Sequence, residues 1–210
     1  MKIVLVRHGQ STWNLERRLQ GQTMQVPLTD LGHAQAGAAA AVVASHVAPG
    51  TPLLCSDQLR AVQTAEHVAT AIGSTPEPTR LLREQGLGSM EGKGFDELFP
   101  EPTPKGMHVS EVCWGGGESI QQVHVRCREL LDELASRAVG EVVLVGHGDA
   151  LRVLLAAIDG RGHREVEWGS IGNGEVLVRT WQGGKTHHSS FANVVTGEAA
   201  RRPGSSPTGS

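Results

Sequence analysis

The segment MKIVLVRHGQSTWN, Met1 to Asn14, decides how the rest of the chain is read. Its apolar run Ile3-Val4-Leu5-Val6 is too short to cross a membrane and β-branched enough to be a buried strand. Arg7, His8 and Gly9 follow at once, which puts a cation, an imidazole and a flexible backbone position at the strand's carboxyl end. In open α/β sheets that edge is where ligands bind.

The pattern recurs further along the chain. Glu141-Val142-Val143-Leu144-Val145 is a second buried-strand run, and it delivers Gly146, His147 and Gly148. One histidine at a strand end reads as an ordinary hydrogen-bonded residue. Two in the same setting, one beside an arginine, read as a site. Pro52-Leu53-Leu54-Cys55 makes a third strand, followed by Ser56-Asp57 as the expected N-cap of a helix from Gln58 to Ile72. Arg60 then falls in that helix's first turn, where unpaired N–H groups already favour an anion. A cation there costs from a few tenths to about 1 kcal/mol, so the placement makes sense where an anion is shared.

Four segments carry a resemblance: VRHGQSTWN (6–14), SDQLRAVQTAE (56–66), LLREQGLGSMEG (81–92) and VLVGHGDALR (143–152). In this order they resemble the signature segments of the histidine phosphatase superfamily, the phosphoglycerate-mutase-like group with the R-H-G motif. The resemblance runs from Met1 to about Trp181. It implies a three-layer α/β/α sandwich around a mostly parallel sheet. It also implies that His8 attacks phosphorus to form a phosphohistidine while Arg7, Arg60 and His147 hold the phosphoryl oxygens. Asn14 would add a neutral donor, with Gln20, Gly21 and Gly148 at the same phosphate site. Glu84 matches the family's acid/base glutamate, and Glu91 in the same turn is its rival.

The residue chemistry agrees with that assignment. Neighbouring guanidinium groups disfavour imidazolium and so keep His8 a nucleophile. The cations act on the charge spread over the equatorial oxygens, which dominates phosphoryl transfer. Nothing in this chemistry calls for a cofactor. The ten histidines show no H-x-x-x-H spacing and no close carboxylate cluster, so no metal site is expected. A cysteine-phosphatase cradle fails because only Ser56 to Leu59 separate Cys55 from Arg60, one residue too few. A G-x-G-x-x-G cradle at Gly146 fails at Leu151.

Composition sets limits. A chain of 210 residues suits one domain, expected over 1–195 with a polar tail, 196–210, expected to be disordered. A net charge of −3 argues against nucleic-acid or anionic-membrane binding. Three cysteines, an odd number, read as reduced thiols, and Arg7 interrupts the first apolar run too early for a signal peptide, so a cytoplasmic setting is expected. The expected partner is a small phosphorylated metabolite, and a homodimer is compatible with the sequence.

The pattern of elements is α/β. Thr29-Asp30 caps an alanine-rich helix to about Val47, and Ser119 with Gln122 forms a capping box before a long amphipathic helix. Asp149 to Ile158 is a further helix, Glu175 to Trp181 a strand, and Ser189–Phe191 a weaker edge strand.

The stretch 85–117 is a lid-like insertion, in which Phe95, Phe99, Met107 and Trp114 offer an apolar wall. Gln25 stands where the family commonly has an aspartate. The mutase branch resembles this chain less, because its longer covering segment bears a tyrosine and an arginine pair. This chain has no tyrosine, and its lid holds Lys93 and Lys105 against Glu91, Asp96, Glu97, Glu101 and Glu111. A phosphatase is the first expectation, a phosphomutase the second. A non-catalytic phospholigand-binding module comes last, since Arg7, His8, Arg60, Glu84 and His147 are all present.

Overall fold

The computed structural model describes residues 1–97 and 102–183, together with the backbone of 192–194. Six strands form one sheet: β1 (Lys2–Arg7), β2 (Leu53–Ser56), β3 (Pro76–Thr79), β4 (Glu141–Gly146), β5 (Val176–Thr180) and β6 (Ala192–Val194). Their order is β3-β2-β4-β1-β5-β6. The first four run parallel, β5 is antiparallel to β1, and β6 is antiparallel to β5.

Side chains along a strand alternate between faces, so each apolar run serves two cores. Ile3, Leu5, Val142 and Leu144 pack on one face with α4 (Ile120–Ser136) and α5 (Gly148–Ile158). Val4, Val6, Val143 and Val145 pack on the other with α2 (Asp30–His46) and α3 (Leu59–Ile72). The expected three-layer sandwich around a mostly parallel sheet is the observed fold. Its shortest helix, α1 (Thr12–Leu15), follows β1 directly. No helix among the described residues is long and apolar enough to cross a membrane.

The caps expected at α2 and α4 are present. Thr29 accepts the Gly32 N–H at 3.0 Å, and Ser119 and Gln122 exchange the two bonds of a capping box. The expected Ser56-Asp57 cap of α3 is not. Ser56 ends β2, Asp57 pairs with Arg83 at 2.6 and 2.7 Å, and the N-cap is Gln58, whose side chain makes no cap bond. Its amide donates instead to the carbonyls of Gly21 and Thr23. Strand β3 was not anticipated, because PEPT carries no apolar alternation; its two prolines are tolerated at a sheet edge.

Ser189–Phe191, the tail 196–210 and Phe99 lie outside the described residues. In the lid, short 3₁₀ turns occur at Gly88–Met90, Phe95–Glu97, Val109–Glu111 and Trp114–Gly116.

Candidate active site

β1 and β4 lie side by side with Arg7 opposite Gly146. The His8 N–H continues that ladder to the Gly146 carbonyl at 2.9 Å, so His8 and His147 leave the sheet together. Their ring centroids are 5.0 Å apart, and both residues are buried. His8 Nδ1 lies 2.7 Å from the Gly9 carbonyl oxygen. A carbonyl only accepts, so Nδ1 carries the proton and Nε2 keeps its lone pair.

Burial is the first cause that holds His8 well below the usual imidazole range, and the Arg60 and Arg7 charges add to it. His147 is lowered for the same reasons, burial first and then Arg60. The expectation from sequence credited the arginines alone. The larger effect is desolvation.

Arg60 is wholly buried, and its guanidinium grips the loop before α2 by donating to the carbonyls of Thr23 at 2.9 Å and Gly21 at 3.0 Å. Burial lowers it to about 10, so it stays a cation at neutral pH. Arg7 donates Nη1 to the Ile171 carbonyl. The Nε groups of Arg7 and Arg60 and both ring nitrogens of His147 are buried without a hydrogen-bond partner. Buried polar groups nearly always have one, so these orphans at the strand ends that carry His8 and His147 mark a place built for a polar ligand.

A cavity of about 160 Å³ opens there, lined by Arg7, His8, Asn14, Gln20, Gly21, Arg60, Glu84 and Gly148. Thus eight of the nine residues expected at the site share one cavity. The ninth, His147, does not line it and meets it through the His8 ring. The Asn14 Oδ1 accepts from the Ser11 N–H and hydroxyl, which leaves Nδ2 to a ligand. Gln20 Oε1 lies 2.8 Å from the same Ser11 hydroxyl and competes with Asn14 for its single proton. Gly21 sits at φ +46°, and a Cβ there would come 2.3 Å from the Glu91 carboxylate.

Glu84 reaches the amino end of α5. Its Oε1 accepts from Ala150 N–H at 3.0 Å and Gln85 N–H at 2.9 Å, and Oε2 from Asp149 N–H at 3.3 Å. The neighbouring Arg83 pairs with Asp57 and not with Glu84. Glu91 is occupied elsewhere: it accepts from the Gln22 and Leu87 N–H groups and the Thr23 hydroxyl, and it does not line the cavity. Those bonds, with Gln58 and Arg60, close the loop at Gly21, while Gln25 is exposed.

Two expectations about the lid need correction. Of the apolar wall, Phe95 lines the cavity, joined by Leu87, whereas Met107 is exposed and Trp114 lies elsewhere. None of the described lid carboxylates lines it either; Glu111, for one, pairs with Arg164. Sequence reading also missed Arg18 and Arg152, which reach the rim from outside the lid. Arg18 stacks on Trp13 at 4.5 Å and lies 3.4 Å from Glu16, while Arg152 pairs with Asp149. Burial, and then the Glu84 charge, push the Asp149 carboxyl up to about 6.

Known proteins match this chain in sequence and in fold. The family model described as histidine phosphatase superfamily (branch 1) matches residues 3–194. The protein named "Probable phosphoglycerate mutase GpmB" of Photorhabdus laumondii is 36% identical over 165 residues, 76% of this chain and 75% of its own. A 2,3-bisphosphoglycerate-dependent phosphoglycerate mutase of Mesorhizobium japonicum is 31% identical, covering 84% of this chain and 90% of its own. Among solved structures, a mycobacterial glucosyl-3-phosphoglycerate phosphatase in complex with VO3 superposes with a TM-score of 0.73. That pair is 29% identical over 85% of this chain and 92% of the other. With the paired strand-end histidines and the motif order, these matches show that the chain belongs to the histidine phosphatase superfamily.

Proposed function

We propose that the protein is a phosphatase that hydrolyses a small phosphomonoester through a phosphohistidine on His8. The observation that carries this reading is the convergence on one cavity of a neutral imidazole with a free Nε2, the buried Arg60 and half-buried Arg7 guanidinium groups and the Glu84 carboxyl. His8 Nε2 attacks phosphorus as the P–O bond to the alcohol breaks. Glu84 gives the departing oxygen its proton. Water then attacks the phosphohistidine, returning a proton to Glu84 and releasing phosphate. Arg7 and Arg60 hold the equatorial oxygens, so the positive charge comes from the chain itself. The partner is a small phosphorylated metabolite, and the free thiols Cys55, Cys113 and Cys127 fit a cytoplasmic setting.

Water, rather than a second substrate, is favoured as acceptor because the described lid lends the cavity only Leu87 and Phe95. The solved glucosyl-3-phosphoglycerate phosphatase supports the same choice. The mutase reading draws on Arg18 and Arg152 at the rim and on the names of the sequence relatives. Rapid quench with a labelled phosphomonoester should trap an acid-labile, base-stable phosphoenzyme that His8→Ala abolishes. Label on serine or cysteine would refute the mechanism. Supplying 3-phosphoglycerate primed with its bisphosphate separates the two activities: phosphate release should outrun isomerisation, and the reverse would make the protein a mutase.

A further inference from the structure

Side chains from elsewhere hold the main chain of the segment that carries Glu84. The Glu84 N–H donates to Gln58 Oε1 at 2.9 Å. Its carbonyl accepts from Arg126 Nη2 at 3.1 Å and from Gln22 Nε2 at 3.2 Å. Arg126 Nη1 also takes the Leu81 carbonyl at 2.9 Å, so one guanidinium spans both ends of residues 81–84.

Arg126 is itself fixed by a two-pronged pair with Glu118, Nε to Oε1 and Nη2 to Oε2, each at 3.1 Å. Such forks are geometrically specific as well as strong. Both partners are largely buried, with 12% and 25% of their side-chain surface exposed. Glu118 Oε2 accepts in addition from Gln22 Nε2 and from the Gly86 N–H, both at 2.9 Å. Glu118 closes the mouth of the lid too: its N–H donates to the Gly86 carbonyl at 2.7 Å, and its carbonyl accepts from Gln85 Nε2 at 2.7 Å. Gly117 must lack a side chain there, since a Cβ would stand 2.1 Å from the Gly86 carbonyl oxygen.

Three pieces of chain therefore meet at one ion pair: the loop whose Gly21 carbonyl is gripped by Arg60, the segment bearing Glu84, and the two ends of the lid. We propose that Glu118, Arg126 and Gln22 form a positioning clamp that fixes Glu84 against the phosphoryl site. The clamp touches neither phosphate nor leaving group, and it rests on the reading of Glu84 as the acid. Its task is alignment, and a misplacement of about 1 Å costs on the order of 10²-fold in rate.

The test uses the whole chain with two esters, glycerol 3-phosphate, whose alkoxide needs a proton, and p-nitrophenyl phosphate, whose phenolate does not. Arg126→Gln and Glu118→Gln should each lower kcat on glycerol 3-phosphate by about 10²-fold, with KM nearly unchanged and much smaller losses on the nitrophenyl ester. Arg126→Lys keeps the charge but not the fork and should not restore the rate. Gln22→Ala removes a single limb from a partly exposed position, so it serves if Arg126→Gln does not fold, with a smaller loss of the same pattern.

Hydrogen exchange in peptides spanning 81–91 should rise in the clamp variants and not in Glu84→Gln. Equal losses on both esters in the clamp variants while Glu84→Gln spares the nitrophenyl ester, or unchanged protection of 81–91, would overturn the clamp. If Glu84→Gln itself loses both esters equally while the Arg126→Gln segment loosens, the acid assignment falls and the clamp stands.

Discussion

An imidazole whose Nδ1–H donates to its neighbour's carbonyl has one lone pair left and one direction in which to attack. His8 is in that state, and burial keeps it unprotonated. Arg60 does two things at once, since it offers charge to the cavity and holds the Gly21 and Thr23 carbonyls. Arg60→Ala should therefore cost about 10²–10³ in kcat, as for loss of one transition-state donor, and raise KM as the loop loosens. His147→Ala should lower kcat by a similar factor with less change in KM. Steady-state assays with p-nitrophenyl phosphate check both. Because two guanidinium groups carry the positive charge, turnover should persist in EDTA; its loss, restored by a divalent cation, would show a missing ion. Arg7, His8, Arg60 and Glu84 were legible because strand ends and motif order announce them. Arg126, Glu118 and Gln58 were not, because each acts on main-chain atoms far away in sequence, and no local pattern records such a contact. Asp57 looked like a cap from its position alone, and a distant arginine claimed it.

Elements meet at the site through backbone as much as through side chains. The first turn of α2 lies against the segment after β1 so closely that a Cβ on Gly9 would stand 2.1 Å from the Gly32 carbonyl oxygen. One on Gly32 would stand 2.0 Å from that of Gln10. Neither contact can relax by rotating a side chain. Gly32→Ala should lower stability in urea by about 1–3 kcal/mol, as overpacking does. It should also lower kcat, since the displaced neighbour is Gln10, bonded directly to Gly9, whose carbonyl orients His8. A variant with the stability and turnover of the parent would show that the two segments separate easily. Legibility at this scale followed the kind of signal. Thr29 and Ser119 cap their own helices, so α2 and α4 were readable. The start of α3 is set by Gln58 reaching across to another loop, and β3 is a strand only because β2 lies beside it.

For the molecule as a whole, two buried neutral imidazoles tie folding to pH. His8 and His147 are lowered in the folded chain, so below about pH 6.5 the unfolded chain binds more protons than the folded one. Each should then withdraw about 1.4 kcal/mol of stability per pH unit. Asp149 acts in the opposite sense: raised to about 6, it holds a proton when folded that the unfolded chain has released, and so offsets one of the two below that pH. Urea midpoints between pH 8 and 5 should fall steeply from about 6.5 and less steeply below about 6. A flat profile would mean that the histidines are charged in the native state. The sandwich was legible as a whole because the runs Ile3–Val6 and Val142–Val145 are apolar at every position, as only a strand covered on both faces requires. That same pairing governs how the chain is made. β1 leaves the ribosome before both of its neighbours: β4 starts about 140 residues later and β5 later still. At about 5–20 residues per second, the nascent chain carries an unpaired apolar strand for roughly 7–28 s. The nucleophile is thus translated about 140 residues ahead of His147, and its site cannot close until β4 has emerged.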